Sequence, residues 1–349
     1  MTVPKWTRFA LVGPLMREYI LPVRGRPALD IPGGEALYAA AALATWLASK
    51  AGDTGEPKEG LGLMARTGMD FPQAWLDDLA RLGWRVEGVR RVPDIADSRR
   101  VRVYDAQGNP VLAGWARRFA ERGYAFPPDL ADHEMPGPRT PVSRPTPWTL
   151  LERDVPDWIV ETRLAHFTPG DPLTHHLLPS VLRSRGVLTL TLDPDAAYMT
   201  APHQTFAREV MQPFTVVQPS EEELRTLFGG VREDLWGMSE EVATWGVSVI
   251  AVKRGNQGVW VYDGKARARW VLPAYGAARF RDPTGAGSAF AGGFLYGWHR
   301  TEDPVEAALH GLAVASVAVE TVGALSLLET LPGLLPARLE VLREGVRRV

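Results

Sequence analysis

Three short runs constrain this chain most: VLTLTLDPD (187–195), FTVVQPS (214–220) and VSVIAVKRG (247–255). Each is rich in β-branched and apolar residues, nearly without polar alternation, and each ends in turn-forming residues. A strand apolar on both sides needs cover on both sides, which parallel sheets obtain from crossover helices. RFALVG (8–13) and LGLMARTG (61–68) read as further strands of this kind. Between them lie amphipathic segments such as FPQAWLDDLARLG (71–83), where Trp75, Leu76, Leu79 and Leu82 fall at helical spacing. The pattern predicts an α/β protein with a mostly parallel sheet. GVWVYDGKARARWVL (258–272) and RRVRVYDAQGNPVLAG (99–114) read as hairpins, and two helices are expected from Gly285 to Trp298 and Pro304 to Glu320.

With 349 residues the chain can bury a full-sized core. Lys+Arg number 39 against Asp+Glu 41, so charge favours no nucleic acid or other polyanion. The absence of cysteine excludes disulfides, thiolate metal sites and a cysteine nucleophile. The longest apolar run, ALYAAAALATWLA (36–48), is too short to span a bilayer and reads as a buried alanine-rich helix. Residues 1–16 lack the charged start and apolar core of a signal peptide, so a cytoplasmic protein without membrane contact is expected. The proline-dense stretch 126–148 reads as an extended surface loop, either a flap or a connector. His175 and His176 have no partner at metal-ligand spacing, and solvent-facing or capping roles are expected for them; His299 lies some three turns beyond Ser288 on the same helix.

The stretch with most chemical content is RDPTGAGSAF (281–290). Gly285, Ala286 and Gly287 form a turn feeding a helix, whose first N–H groups have no intrahelical acceptor and favour an anion. Such a turn alone is weak support for phosphate binding, since many merely connect a strand to a helix.

Its setting adds specificity. DPTGAGSAFAGGF resembles the C-terminal signature of the ribokinase-like (PfkB) carbohydrate kinases. LVGPLMREYI resembles their first strand and substrate loop, and PGGEALYAAAAL their Gly-Gly signature. ARTGMDFPQAWLDDLARLGW, LDPD, QPSEEEL and VKRGNQGV follow in the order expected of that family. The resemblance implies one ribokinase-like domain over 1–349, a three-layer α/β/α sandwich with a small β lid from segments near 14–32 and 90–115. It implies phosphoryl transfer from MgATP to a sugar or nucleoside hydroxyl, and a homodimer formed through the lid. Gly285, Ala286 and Gly287 would be the anion hole; Thr284, Lys253 and Gly255 would lie along the nucleotide; Glu223 would hold Mg²⁺ through water. Glu18, Gly33, Gly34 and Tyr38 would meet the substrate, with Asp282 beside the phosphates.

The family's general base, the acidic residue after the glycines, is replaced by Ser288. An unassisted serine is a poor proton acceptor, and losing a positioned base typically costs about 10²- to 10⁴-fold in rate. Ser220, Tyr38, Lys253 and Ala197 also depart from the usual residues at their positions. A fungal branch of the family is similar in lacking the acid and in its YAA helix. Two functions stay open on the sequence: a kinase with a non-standard base, and a pseudokinase that binds nucleotide or sugar as a regulatory module. Charges on the lid strand, Arg99, Arg100 and Arg102, read most simply as solvated, the alternative being that one reaches substrate or phosphate.

Overall fold

A computed structural model describes residues 6–49, 59–133, 142–231 and 233–349. The first half of the chain supplies β1 (Trp6–Val12), β2 (Met16–Leu21), β3 (Ala28–Gly33), β4 (Glu59–Gly68), β5 (Arg85–Val92) and β6 (Arg99–Val103). The second half supplies β7 (Leu164–Phe167), β8 (Thr189–Leu192), β9 (Val216–Val217), β10 (Val249–Lys253), β11 (Val259–Asp263), β12 (Ala268–Leu272) and β13 (Arg347–Arg348). Ten of them form one sheet in the order β13-β12-β11-β10-β9-β8-β7-β1-β4-β5. From β5 to β10 neighbouring strands are parallel, and β11 to β13 add an antiparallel edge.

The three runs that opened the analysis are β8, β9 and β10, side by side at the centre of this half. Their alternate residues divide between two buried cores. Val216, Val249 and Ala251 pack with the helices Glu35–Ser49, Ala286–Thr301 and Pro304–Ala318, while Leu192, Val217, Ile250 and Val252 face the helices Pro172–Ser184, Gln204–Met211 and Leu235–Thr244. Helices therefore cover both faces, as a sheet apolar on both sides requires. The chain leaves β1 toward β4 and β5, then returns to place β7 on its other side. At such a reversal the crossover connections diverge and open a crevice beyond the strands' carboxyl ends.

A separate three-stranded sheet, β3-β2-β6, stands over that crevice. The small sheet, where the lid was expected, uses 16–33 and 99–103, whereas residues 90–92 belong to β5 of the main sheet. The expected 99–114 hairpin is reduced to β6 and one bridge, Tyr104 with Pro110, because β6 pairs in parallel with β2 and Pro110 has no N–H to extend a second arm. The 258–272 hairpin forms as β11 and β12. Both C-terminal helices form, and the alanine-rich run is the buried helix Glu35–Ser49. Its small residues allow Gly292 of the glycine-turn helix to sit so close that a side chain there would overlap the Ala39 carbonyl.

Two details differ from expectation. Leu82 lies just past the end of helix Gln73–Arg81 and is exposed. His175 is buried rather than solvent-facing, its ring nitrogens 2.9 Å from the Tyr198 hydroxyl and the Thr168 carbonyl. His299 meets Glu59 at 2.8 Å, at the far end of its helix from Ser288. The N-terminal residues 1–5 and the centre of the proline-rich stretch, 134–141, lie outside the described residues. Among the described residues no helix is long and apolar enough to cross a membrane.

Candidate active site

A cavity of about 200 Å³ opens where the lid meets the carboxyl ends of the parallel strands. Its wall has two ends. One is built from the main sheet and the glycine turn: Asp193, Ser220, Glu223, Lys253, Gly285, Gly287 and Ser288. The other comes from the lid and the helix beneath it: Glu18, Glu35, Tyr38 and Arg102, with Thr284 between.

Gly285 is the N-cap of helix Ala286–Thr301 and has φ +72°, a left-handed conformation natural to glycine. A methyl group there would fall inside the Tyr38 ring. Asp282 fastens the preceding turn: its Oδ1 accepts from the Thr284 N–H at 3.0 Å and the Thr284 hydroxyl at 2.6 Å. Its Oδ2 is buried without a partner, and burial raises its proton affinity against those bonds. Asp282 therefore stands behind the turn rather than in the cavity wall. Thr284 Oγ1 also lies 3.0 Å from the Tyr104 hydroxyl, tying the turn to the lid side.

Lys253 is the last residue of β10, where its N–H donates to the Pro219 carbonyl at 2.8 Å. Its Nζ donates to both oxygens of Asp193, each at 2.6 Å. Asp193 follows directly on β8 and is 2% exposed. Burial pushes its carboxyl up to about 7 even with the ammonium beside it. The same ammonium lies along the first turn of the glycine helix: a methyl on Gly287 would be 3.4 Å from Nζ. Ser220 and Glu223 form a capping box at the start of helix Glu221–Leu227. Glu223 Oε2 accepts from the Ser220 N–H at 2.7 Å and the hydroxyl at 2.8 Å, and Oε1 has no hydrogen bond from the described residues.

At the lid end Glu18 is 1% exposed and accepts at Oε2 from the Tyr38 hydroxyl at 3.0 Å. Burial raises the proton affinity of Glu18, with the Arg102 guanidinium opposing. Burial and then the neighbouring Glu18 hold the Tyr38 phenol well above its ordinary value. Arg100 and Arg102 are not solvated strand charges: both donate to Glu35, at 2.6 and 2.9 Å. Burial works against ionised Glu35, but the two guanidiniums outweigh it and hold the carboxyl below its usual range. Arg99 pairs instead with Asp97 at 2.8 Å.

The structure thus brings Glu18, Tyr38, Glu223, Lys253, Thr284, Gly285, Gly287 and Ser288 to one cavity. Ala286, Gly255, Gly33 and Gly34 are near-neighbours in sequence that do not line it. Gly33 makes room for the Glu18 carboxylate, and Gly34, at φ +95°, passes against the Pro14 carbonyl. Sequence reasoning missed Asp193, Glu35 and Arg102 as cavity residues. Asp193 had a signal, an aspartate directly after a central strand; Glu35 and Arg102 had none, because their meeting depends on the lid.

As metal donors these residues fit a loosely held cation. Among the described residues no three Asp, Glu or His side chains cluster as a metal site. Glu223 offers one unengaged oxygen, which suits Mg²⁺ keeping most of its water.

Residues 192–331, which hold Asp193, Ser220, Glu223, Lys253 and the glycine turn, match the pfkB family of carbohydrate kinases. Over that segment the chain is similar to those kinases. It is 27% identical over 240 residues to the cytidine kinase of Thermococcus kodakarensis, covering 69% of this chain and 74% of that one. In structure it superposes on the ribokinase of Thermotoga maritima with a TM-score of 0.64 at 20% identity, covering 96% of this chain and all (100%) of that one. The fructokinase of Vibrio cholerae, in a fructose, ADP and calcium ion bound form, gives 0.67 at 20% identity, over 96% and 99%. The pfkB-like segment therefore sits in a ribokinase-like fold that covers 96% of this chain.

Proposed function

We propose that this chain is an MgATP-dependent kinase of a small alcohol, a sugar or nucleoside, in which Ser288 does not act as the base. The observation that carries the reading is the convergence, in one cavity, of Gly285 and Gly287 of the glycine turn, Lys253 and the Glu18–Tyr38 pair. The turn and Lys253 would receive the oxygens of the transferring phosphoryl group, where fixed donors act by charge stabilisation. Glu223 would hold the water shell of Mg²⁺, which when bound neutralises phosphate charge. Glu18 and Tyr38 would orient the acceptor hydroxyl. In a loose transition state the acceptor's proton leaves late, so positioning supplies much of the acceleration without a strong base. Ser288 and Tyr38 together support a place in a branch of the family that lacks the acid. The cytidine kinase relative and the fructose- and ADP-bound fold neighbour support this class of acceptor and nucleotide.

One observation favours the second reading, a pseudokinase. All four carboxylates in the cavity are engaged by protein side chains, Glu18 by Tyr38, Asp193 by Lys253, Glu35 by Arg100 and Arg102, and Glu223 by Ser220. ADP release from MgATP over a panel of sugars and nucleosides separates the two. Turnover by the unaltered protein is expected; silence there with activity in Ser288→Asp would establish the pseudokinase.

A further inference from the structure

We propose that Lys253 is a built-in counter-ion for the nucleotide's terminal phosphate, so that ATP binds this site even in the absence of the divalent metal that phosphoryl transfer would use. The inference rests on the nucleotide-binding part of the proposed function and goes beyond it.

The position of the ammonium is set by elements that cannot shift independently. The Lys253 backbone is held by the Pro219 carbonyl and by a parallel bridge to Ser220, at the carboxyl end of a central strand. The ammonium is then held from below by both oxygens of Asp193, itself fixed at the end of β8. This places Nζ beside the first turn of helix Ala286–Thr301, at the van der Waals distance that Gly287 leaves open. A cation at that end of a helix faces the positive pole of the backbone dipoles. Lysine and N–H groups both present positive charge to the same space, an arrangement whose complement is an anion. Asp193 offsets the repulsion while that anion is away, and among the described residues it is the only carboxylate that contacts the ammonium.

The metal donors are correspondingly sparse. Asp193 has both oxygens on Lys253, and Glu223 has one oxygen in its own helix cap. The positive charge fixed in this cavity next to the glycine turn is thus a side chain. When phosphate enters, its oxygens compete with Asp193 for the three N–H donors of Lys253, and a lysine can serve both at once.

The test is calorimetric titration of the full chain with ATP in EDTA and with MgATP, alongside Lys253→Met, the double variant Lys253→Met with Asp193→Asn, and Asp193→Asn alone. Affinities for ATP with and without metal are expected within about threefold of each other in the unaltered protein, the loss of metal being covered by one charge-assisted contact. Lys253→Met is expected to lose roughly 10- to 100-fold in metal-free affinity, the weight of hydrogen bonds to a charged group. The double variant leaves no buried carboxylate unpaired, so it keeps the test valid if the single variant does not fold; the same loss is expected in it. Asp193→Asn releases Lys253 and is expected to tighten metal-free binding by about three- to tenfold. The proposal is overturned if the unaltered protein binds MgATP but not ATP, or if the methionine variants retain metal-free binding. If the unaltered protein binds neither form, the nucleotide reading itself falls, and the proposal with it.

Discussion

The two ends of the cavity are made in different ways. The glycine-turn end is backbone and strand ends: Gly285 and the first turn of the helix it opens, the last residue of β10 and the first residue after β8. The other end is side chains alone, carried by β2 and β6, which pair in the small sheet, and by helix Glu35–Ser49, joined to them by the Arg100–Glu35–Arg102 ion pairs and the Tyr38–Glu18 hydrogen bond. The difference locates the source of each end's stability. Sheet and helix packing fixes the first, while charge and burial fix the second, so the two should respond differently to substitution and to pH.

The largest effect is expected where the ends touch. Gly285→Ala places a side chain at φ +72° and into the Tyr38 ring. A left-handed conformation costs about 1–2 kcal/mol outside glycine, and overpacking about 1–3 kcal/mol more, so a loss of about 2–5 kcal/mol is expected. Urea denaturation measures it. A loss well below that range would mean that Tyr38 is free to move, and that the two ends are not rigidly coupled.

A smaller effect is expected within the lid end. Glu35→Gln leaves Arg100 and Arg102 facing an amide, and a loss of about 1–3 kcal/mol at neutral pH is expected for this half-buried cluster. The folded-state proton affinity of Glu35 is below ordinary, so its ionised form stabilises the fold above the usual glutamate value of 4.5. That contribution is lost as pH falls through the lower, folded value. The gap between Glu35→Gln and the unaltered protein should therefore close in acid; denaturation midpoints from neutral pH downward test it. A constant gap would show that shape rather than charge joins these residues.

The same contrast explains what was legible in the sequence. Periodicity and composition act locally, so β8, β9, β10 and the buried helix Glu35–Ser49 could be read from their own residues. The glycine turn was equally plain, because its chemistry lies in consecutive backbone groups. Arg100 and Arg102 read as solvated charges because their partner is not local in sequence; Glu35, some 65 and 67 residues away, reaches them only through the tertiary fold. His175 was misread for the same reason, since Tyr198 and Thr168 become its partners through folding of the strand ends. Ser288 could be located but not interpreted: its position is set by the helix, whereas a substitute proton acceptor depends on how the lid carboxylates are arranged.

Glu18 is where the comparison can be broken with the least perturbation. Its carboxyl is buried, its proton affinity is raised above the ordinary 4.5, and the Tyr38 hydroxyl donates to it. A raised folded value means that the folded state holds the proton more tightly than the unfolded chain. The stability this gives is complete below pH 4.5 and is lost as pH rises through the folded value, opposite in sign to Glu35. At neutral pH the unaltered protein therefore carries a cost that Glu18→Gln removes, because an amide is uncharged and its oxygen still accepts from Tyr38. A gain of about 0.5–1 kcal/mol is expected near neutral pH, with no gain in acid. Two carboxylates on one cavity wall would then titrate the fold in opposite directions. If Glu18→Gln instead lowers the neutral midpoint, the ionised carboxylate is stabilised by Tyr38 and Arg102 beyond its burial cost, and Glu18 joins Glu35 as a charge that the lid needs.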